Sequence, residues 1–567
     1  MFPSIGVGGI VHGDGLGGKK MLDHQAPTKL IWLLAGLLVG ALATAGLVWV
    51  VMTLVRGNAP EEAAGPPRYV EETVSSGVDH VYDGEFQFFV GGGGAVFDCN
   101  ADMFPDLYLA GGTEPAGLYV NLSPLGGPLA FAKQTDASTD LVDVTGAYPI
   151  DVDSDGVTDL AVLRVGENVM LRGLGDCLFE RANEIWGIDG GEEWTAAFSA
   201  TWEDSQSLPT LAFGNYLADG EPGGREECAS NYLVRPEDGY GPPVELTPGW
   251  CTLSILFSDW SRSGQADLRM TNDRHYYIDG EEQLWRIASG AEPEPYTAED
   301  GWRSMQIWGM GIASHDLTGD GLPEVFLTSQ GDNKLQTLTE ASGRPSYEDV
   351  ALTMGATAHR PFMGDTNRPS TAWHAEFGDV NNDGFVDLFV TKGNVDAMVE
   401  FAGDDPNNLL LGQPDGTFEE SADQAGVLDY SRSRGGALTD LNLDGYLDMV
   451  VIERREPVKV WRNTGEPTGN WLAVDLTQPP PNGDGIGSWV EVRLGNAIIR
   501  TEHTIGGGHA GGQLGWIHFG LGKADEADIR VTWPDGVQGP WTTVAANQFI
   551  TLERGSDTII VNEPMRN

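Results

Sequence analysis

DVNNDGFVDLFV, residues 379–390, sets side-chain oxygen at every second position, then a glycine, then an apolar run. Extended acidic chain of that kind repels itself. The repulsion ends if a hard cation sits inside a curve, with Asp379, Asn381 and Asp383 turned inward, Gly384 allowing the sharp bend and Asp387 closing the cage. Calcium is the expected ion.

The pattern recurs. Asp151, Asp153, Asp155 and Asp159 repeat it in DVDSDGVTDL, Asp316, Thr318, Asp320 and Glu324 in DLTGDGLPEV, and Asp440, Asn442, Asp444 and Asp448 in DLNLDGYLDM. DCNADMFPDL keeps Asp98, Asn100, Asp102 and Asp106 but has Met103 in the glycine position. SDWSRSGQADL is poorer, retaining Asp259, Ser261, Ser263 and Asp267, and WEDSQSLPTL at 202–211 reads as a metal-free copy.

EF-hands need flanking helices and a bidentate Glu at the twelfth position. Here the twelfth positions are Val162, Leu327, Val390 and Val451, and short β-branched and aromatic runs follow each loop. The loops therefore join strands. Plain polar hairpin turns would need neither so many acidic groups nor an acidic ninth position.

Loop markers at Asp98, Asp151, Glu203, Asp259, Asp316, Asp379 and Asp440 stand 52 to 63 residues apart. A second phrase keeps the same rhythm: YVEETVSSG from Tyr69, FERANEIWG from Phe179, YEDVALTMG from Tyr347 and FEESADQAG from Phe418 each place an aromatic eight residues before a glycine. Repeats of this length holding several strands each predict an all-β propeller of seven blades. Small residues crowd the strand before each loop, as in GGGGAVFD at 91–98, which suits the innermost position. The first phrase precedes the first loop and the last loop has no phrase after it. Residues near 70 should thus complete the final blade beside residues near 460.

The loops resemble the FG-GAP or VCBS repeats of integrin α-like propellers, in which such loops bind calcium. Beyond about Asn470, IGSWVEVRL at 486–494, FGLG at 519–522 and VTWPDG at 531–536 are similar to the ASPIC/UnbV domain of the cartilage acidic protein-like family. The resemblance implies a propeller over 67–466, a small ASPIC/UnbV β domain over 467–558 and a tail at 559–567. It also implies adhesion, or recognition of an extracellular protein or glycan ligand.

Leu30 to Val55 hold no charge and are long enough to cross a bilayer with tilt. Lys19, Lys20 and Lys29 precede them, which places a tail of residues 1–29 in the cytoplasm and the large C-terminal region in the periplasm or outside the cell, behind a linker at 56–66. The alternative is a cleaved signal ending near ALATA at 41–45. A net charge of −51 excludes general nucleic-acid binding. Of four cysteines, Cys228 and Cys251 bracket an insertion that a disulfide would close, the alternative being buried thiols. His315, His374 and the cluster Arg274, His275, Tyr276 and Tyr277 are the catalytic candidates, but no hydrolase or nucleotide fingerprint accompanies them. The expected function is a membrane-tethered, calcium-binding adhesion or ligand-binding module; the alternatives are an envelope assembly factor and, behind it, a hydrolase.

Overall fold

A computed structural model describes residues 63–567 apart from 204–205, 219–227, 238, 274–279, 340–342, 466–468, 557 and 565–567. The expected tail at 1–29, the span at 30–55, most of the linker and the cluster Arg274 to Tyr277 lie outside the described residues. Among the described residues no helix is long and apolar enough to cross a membrane.

The chain is built almost wholly of strands, grouped mainly in four-stranded sheets. Seven sheets follow one another along residues 69–463 as antiparallel meanders. Their first strands are Gly94–Phe97, Val144–Ile150, Thr195–Thr201, Thr252–Ser258, Gly309–His315, Ala372–Gly378 and Ser433–Thr439. These strands are mostly buried along their whole length, as expected for strands covered on both faces. The seventh sheet takes its outermost strand from the other end of the chain: Tyr69–Glu71 pairs antiparallel with Trp461–Asn463, and the Tyr69 hydroxyl donates to Leu447 O at 2.8 Å.

The aromatic-to-glycine phrase now has a physical reading. Its aromatic opens an outer strand, as with Phe179–Arg181, Tyr347–Asp349 and Phe418–Glu420. One turn of helix follows, and Gly77, Gly187, Gly355 or Gly426 ends that turn in the left-handed region.

Residues 470–562 form two further four-stranded sheets packed face to face over Leu472, Val490, Phe519, Ile529 and Ile550. Ile559–Asn562, within the segment expected as a tail, is an edge strand paired with Phe549–Leu552. The domain also does more than follow the seven sheets. Its segment Thr504–Leu514 inserts among their first strands: Ile505 bridges Ala200, Gly506 bridges Leu256, Gly508 bridges Ile312, Gly511 bridges Ala147, and Gly512–Leu514 adds a parallel strand to Gly94–Phe97. His509 at the tip is fully buried. It accepts from Gly91 N–H at 3.2 Å, its Nδ1 lies 2.9 Å from Met310 O, and its own N–H donates to His374 Nδ1 at 3.2 Å.

Candidate metal centres

Each acidic loop joins the first and second strands of a sheet, and six of them share one backbone form. The fourth position is left-handed in all six, at Ala101, Ser154, Arg262, Gly319, Asn382 and Leu443, and so is the sixth, at Met103, Gly156, Gly264, Gly321, Gly384 and Gly445. Met103 adopts φ 77°, so the loop at Asp98 keeps the shape without the residue that adopts it most easily.

Hydrogen bonds impose this shape. The first carboxylate receives the N–H groups of positions five and six: Asp379 from Asp383 at 3.0 Å and Gly384 at 2.7 Å, Asp440 from Asp444 at 3.0 Å and Gly445 at 2.7 Å, Asp151 from Asp155 at 3.2 Å and Gly156 at 2.9 Å. The fifth residue forms a small turn, with Asp102, Asp155, Asp320, Asp383 and Asp444 accepting from the amide two residues on. The ninth carboxylate spans farther. Asp387 takes Val380 N–H on one oxygen and Gly412 N–H on the other, both at 2.8 Å; Asp448 takes Leu441 and Asn463, Asp159 takes Val152 and Gly173, and Asp106 takes Cys99 and Asn121. It thus ties the loop to the third strand, a duty the sequence reading did not assign.

The donor sets suit a hard cation. Burial first, and mutual repulsion second, push the carboxyls of Asp379 and Asp440 well above the ordinary range, and Asp387 and Asp448 rise likewise. Burial pushes Asp106 up to about 7, Asp151 to about 6, Asp159 to about 8 and Glu324 to about 7. Crowded carboxyls that resist ionisation are the complement of a divalent ion. Oxygens of Asp151, Asp153 and Asp159 lie within 4.8 Å of one another, and Asp153 Oδ1 and Asp316 Oδ1 are buried without a hydrogen-bond partner.

The loops differ in what else reaches them. The Arg172 guanidinium donates to Asp153 at 2.8 Å and Asp155 at 2.7 Å, and Arg500 of the C-terminal domain donates to Asp316 at 2.9 Å and Gly319 O at 3.1 Å. In the copy at 202–211, Arg235 donates to Glu203 at 2.7 Å, so a guanidinium meets the acid there. At the depleted loop, Asp259 N–H donates to Glu502 at 2.7 Å. Ala64 N–H reaches Asp383 at 2.7 Å.

These loops also form the seat of the C-terminal domain. Asn482 N–H donates to Ser154 Oγ at 3.1 Å, Trp516 Nε1 to Met103 O at 3.3 Å, and His518 Nε2 lies 2.7 Å from Asn382 Oδ1. Leu443 packs with Trp471, Phe104 and Phe549. Between the inserted segment and the first strands lies a cavity of about 280 Å³ lined by His315, His374, His503, His518, Glu376 and Glu502. His374 faces Glu376 at 3.3 Å, and burial lowers His315 to about 4. The structure pairs Cys228 with Cys251, and Cys99 with Cys177, so the proximity of Cys99, Cys177 and Asp106 is not a thiolate metal site.

Comparison with known proteins agrees with the two kinds of segment. The FG-GAP-like repeat model matches residues 316–390 and 379–451, and the ASPIC and UnbV model matches 478–559. Cartilage acidic protein 1 of Mus musculus and of Homo sapiens are each 24% identical over 239 residues, covering 40% of this chain. The aligned region spans about a third of those relatives, 34% and 33% of their lengths. Among solved structures, YCF48 from Cyanidioschyzon merolae superposes with a TM-score of 0.35 at 8% identity, covering 70% of this chain and 98% of its own.

Proposed function

We propose that this chain, which carries FG-GAP-like repeats followed by an ASPIC and UnbV segment, is a calcium-stabilised seven-bladed propeller serving as an extracytoplasmic adhesion or ligand-binding module. Residues 30–55 would tether it to the membrane. The observation that carries the reading is the position of the acidic loops. They underlie the C-terminal domain, whose inserted segment fills the middle of the ring. Cations held by Asp98, Asp151, Asp316, Asp379 and Asp440 with their partners would neutralise buried repulsion and stiffen that seat. The opposite end, where second strands run into long connections such as 393–407, is left as the surface whose loops select a partner. Family resemblance favours a protein or glycan partner, an argument from fold.

A binding role fits the histidines better than catalysis. His509 and His374 are spent on backbone amides and His315 is held neutral by burial. A structural envelope factor is the second reading, favoured by the ring's firm closure at Tyr69–Glu71. The test is capture of glycans and matrix proteins on the immobilised region 58–567, in calcium and in chelator. Specific capture lost in chelator supports the module. Its absence, with hydrolysis abolished by His374→Ala, would overturn the reading in favour of an enzyme.

A further inference from the structure

In the sixth sheet, at the end away from the acidic loop, Lys392 closes the strand Asp387–Lys392 and Asp405 lies on the connection to Asn408–Gly412. Both side chains are 0% exposed, and Lys392 Nζ stands 2.8 Å from Asp405 Oδ1. Nevertheless Nζ has no hydrogen-bond partner of acceptable geometry. The amine is pressed against the carboxyl without being bonded to it as an ammonium ordinarily is. The carboxyl is firmly held: the Ser370 hydroxyl lies 2.6 and 2.9 Å from its two oxygens and shares its one proton with them, and Thr371 N–H donates at 2.7 Å.

A third group completes the set. Glu420 ends the strand Phe418–Glu420, which pairs with Asn408–Gly412 in the same sheet, and accepts from Ala422 N–H at 2.9 Å and from Asn408 Nδ2. Burial raises its carboxyl above the ordinary range, with the Lys392 charge opposing. A desolvated lysine against an immobilised carboxyl, with a buried acid on the same sheet, supplies a nucleophile, an electrophile and a proton carrier. Leaving the pair as two ions would sacrifice the solvation of the ammonium without a well-formed hydrogen bond in return.

We propose that Lys392 and Asp405 join in an intramolecular isopeptide bond, formed by the folded protein itself with Glu420 carrying the proton. The ammonium gives up a proton and its lone pair attacks Asp405 Cγ. Ser370 and Thr371 stabilise the charge that develops on the carboxyl oxygens. The C–O bond then breaks, and one carboxyl oxygen leaves as water with two of the three ammonium protons. A neutral amide remains, and no oxidant, reductant or cofactor is needed. The cross-link closes the connection 393–404 into a covalent ring on the surface that the proposed function leaves for a partner, but it does not depend on that reading.

The test is the intact mass and tryptic map of residues 58–567, purified without chemical cross-linker. The expected result is a chain lighter by one water beyond its two disulfides, with no cleavage after Lys392. Asp405→Asn should reach the same product by releasing ammonia. Glu420→Gln should remain unlinked while keeping its circular dichroism, a separation that a purely structural role for Glu420 would not produce. A wild-type chain of full mass, cut normally after Lys392, overturns the proposal and leaves a buried ion pair.

Discussion

The ninth and fifth positions of one acidic loop should respond differently to calcium. In urea with chelator, Asp448→Ala removes an acceptor from two buried backbone donors, Leu441 N–H at 3.0 Å and Asn463 N–H at 2.8 Å. Each orphaned donor costs about 1–3 kcal/mol, so the substitution should destabilise by about 2–6 kcal/mol in chelator, and by more in calcium, where a cage ligand is lost as well. Asp444→Ala loses the turn bond from Tyr446 N–H at 3.0 Å and the bond from Asn442 Nδ2 at 3.1 Å, the latter amide keeping its bond to Gly127 O, while relieving the repulsion that Asp444 exerts on Asp440 and Asp448. In chelator its net effect should be within about 1 kcal/mol. With free calcium at about 100 times the dissociation constant, wild type gains about 2.7 kcal/mol per site, and Asp444→Ala should forfeit most of that gain at its own loop. Urea unfolding of residues 58–567 followed by tryptophan fluorescence, with and without calcium, reads both quantities. Equal losses for Asp444→Ala in the two conditions would refute the cation cage, and an Asp448→Ala effect confined to calcium would refute the strand-tying role.

Other outcomes follow from the same geometry. A Cβ at Gly511 would fall inside contact distance of the Gly94 backbone, so Gly511→Ala should dislodge the inserted segment and speed limited proteolysis near residues 504–514. Replacing Cys99 and Cys177 by serine opens a loop with a sequence separation of 78 and should lower stability by about 2–5 kcal/mol in urea titrations. Raised carboxyls bind protons better folded than unfolded. In chelator, Asp159 (about 8) and Glu324 (about 7) therefore contribute stability that is present below about pH 4 and lost as pH rises to about 8; calcium should flatten that decline. His509, lowered to about 3, acts oppositely. Its unfolded form takes a proton below about pH 6.5, so its contribution weakens as pH falls from there, and the urea midpoint measured against pH should show both limbs.

Much of the architecture is written in short range. Positions one, four, five and six of each loop interact within six residues, which makes the acidic spacing and its turn residue readable from 379–390 alone. The seven-marker rhythm and the unpaired first phrase likewise pointed to Tyr69 joining the strand at Trp461. What escaped is long range. Nothing local in Arg172, Arg500 or Arg235 reveals that their guanidinium groups reach acidic loops, and the Cys99–Cys177 link joins two neighbouring sheets across a separation of 78 residues. The glycines at 91–94 were read as crowding between converging sheets. In the structure Gly93 and Gly146 also make room for the backbone of Ala510, a visitor from beyond the seven repeats. The ninth carboxylate was legible as an acid but not as a tie, because its second partner lies on the third strand.

Tyr69–Glu71 and Trp461–Asn463 are made almost four hundred residues apart yet occupy one sheet. During synthesis the early strand must wait while six complete sheets emerge, and the late one then offers an open row of amides until it arrives. An unclosed chain is therefore one that can recruit a neighbour's first strand. For this protein, a chain that has made Lys459–Asn463 but not yet docked Tyr69–Glu71 on it presents an open edge of defined sequence.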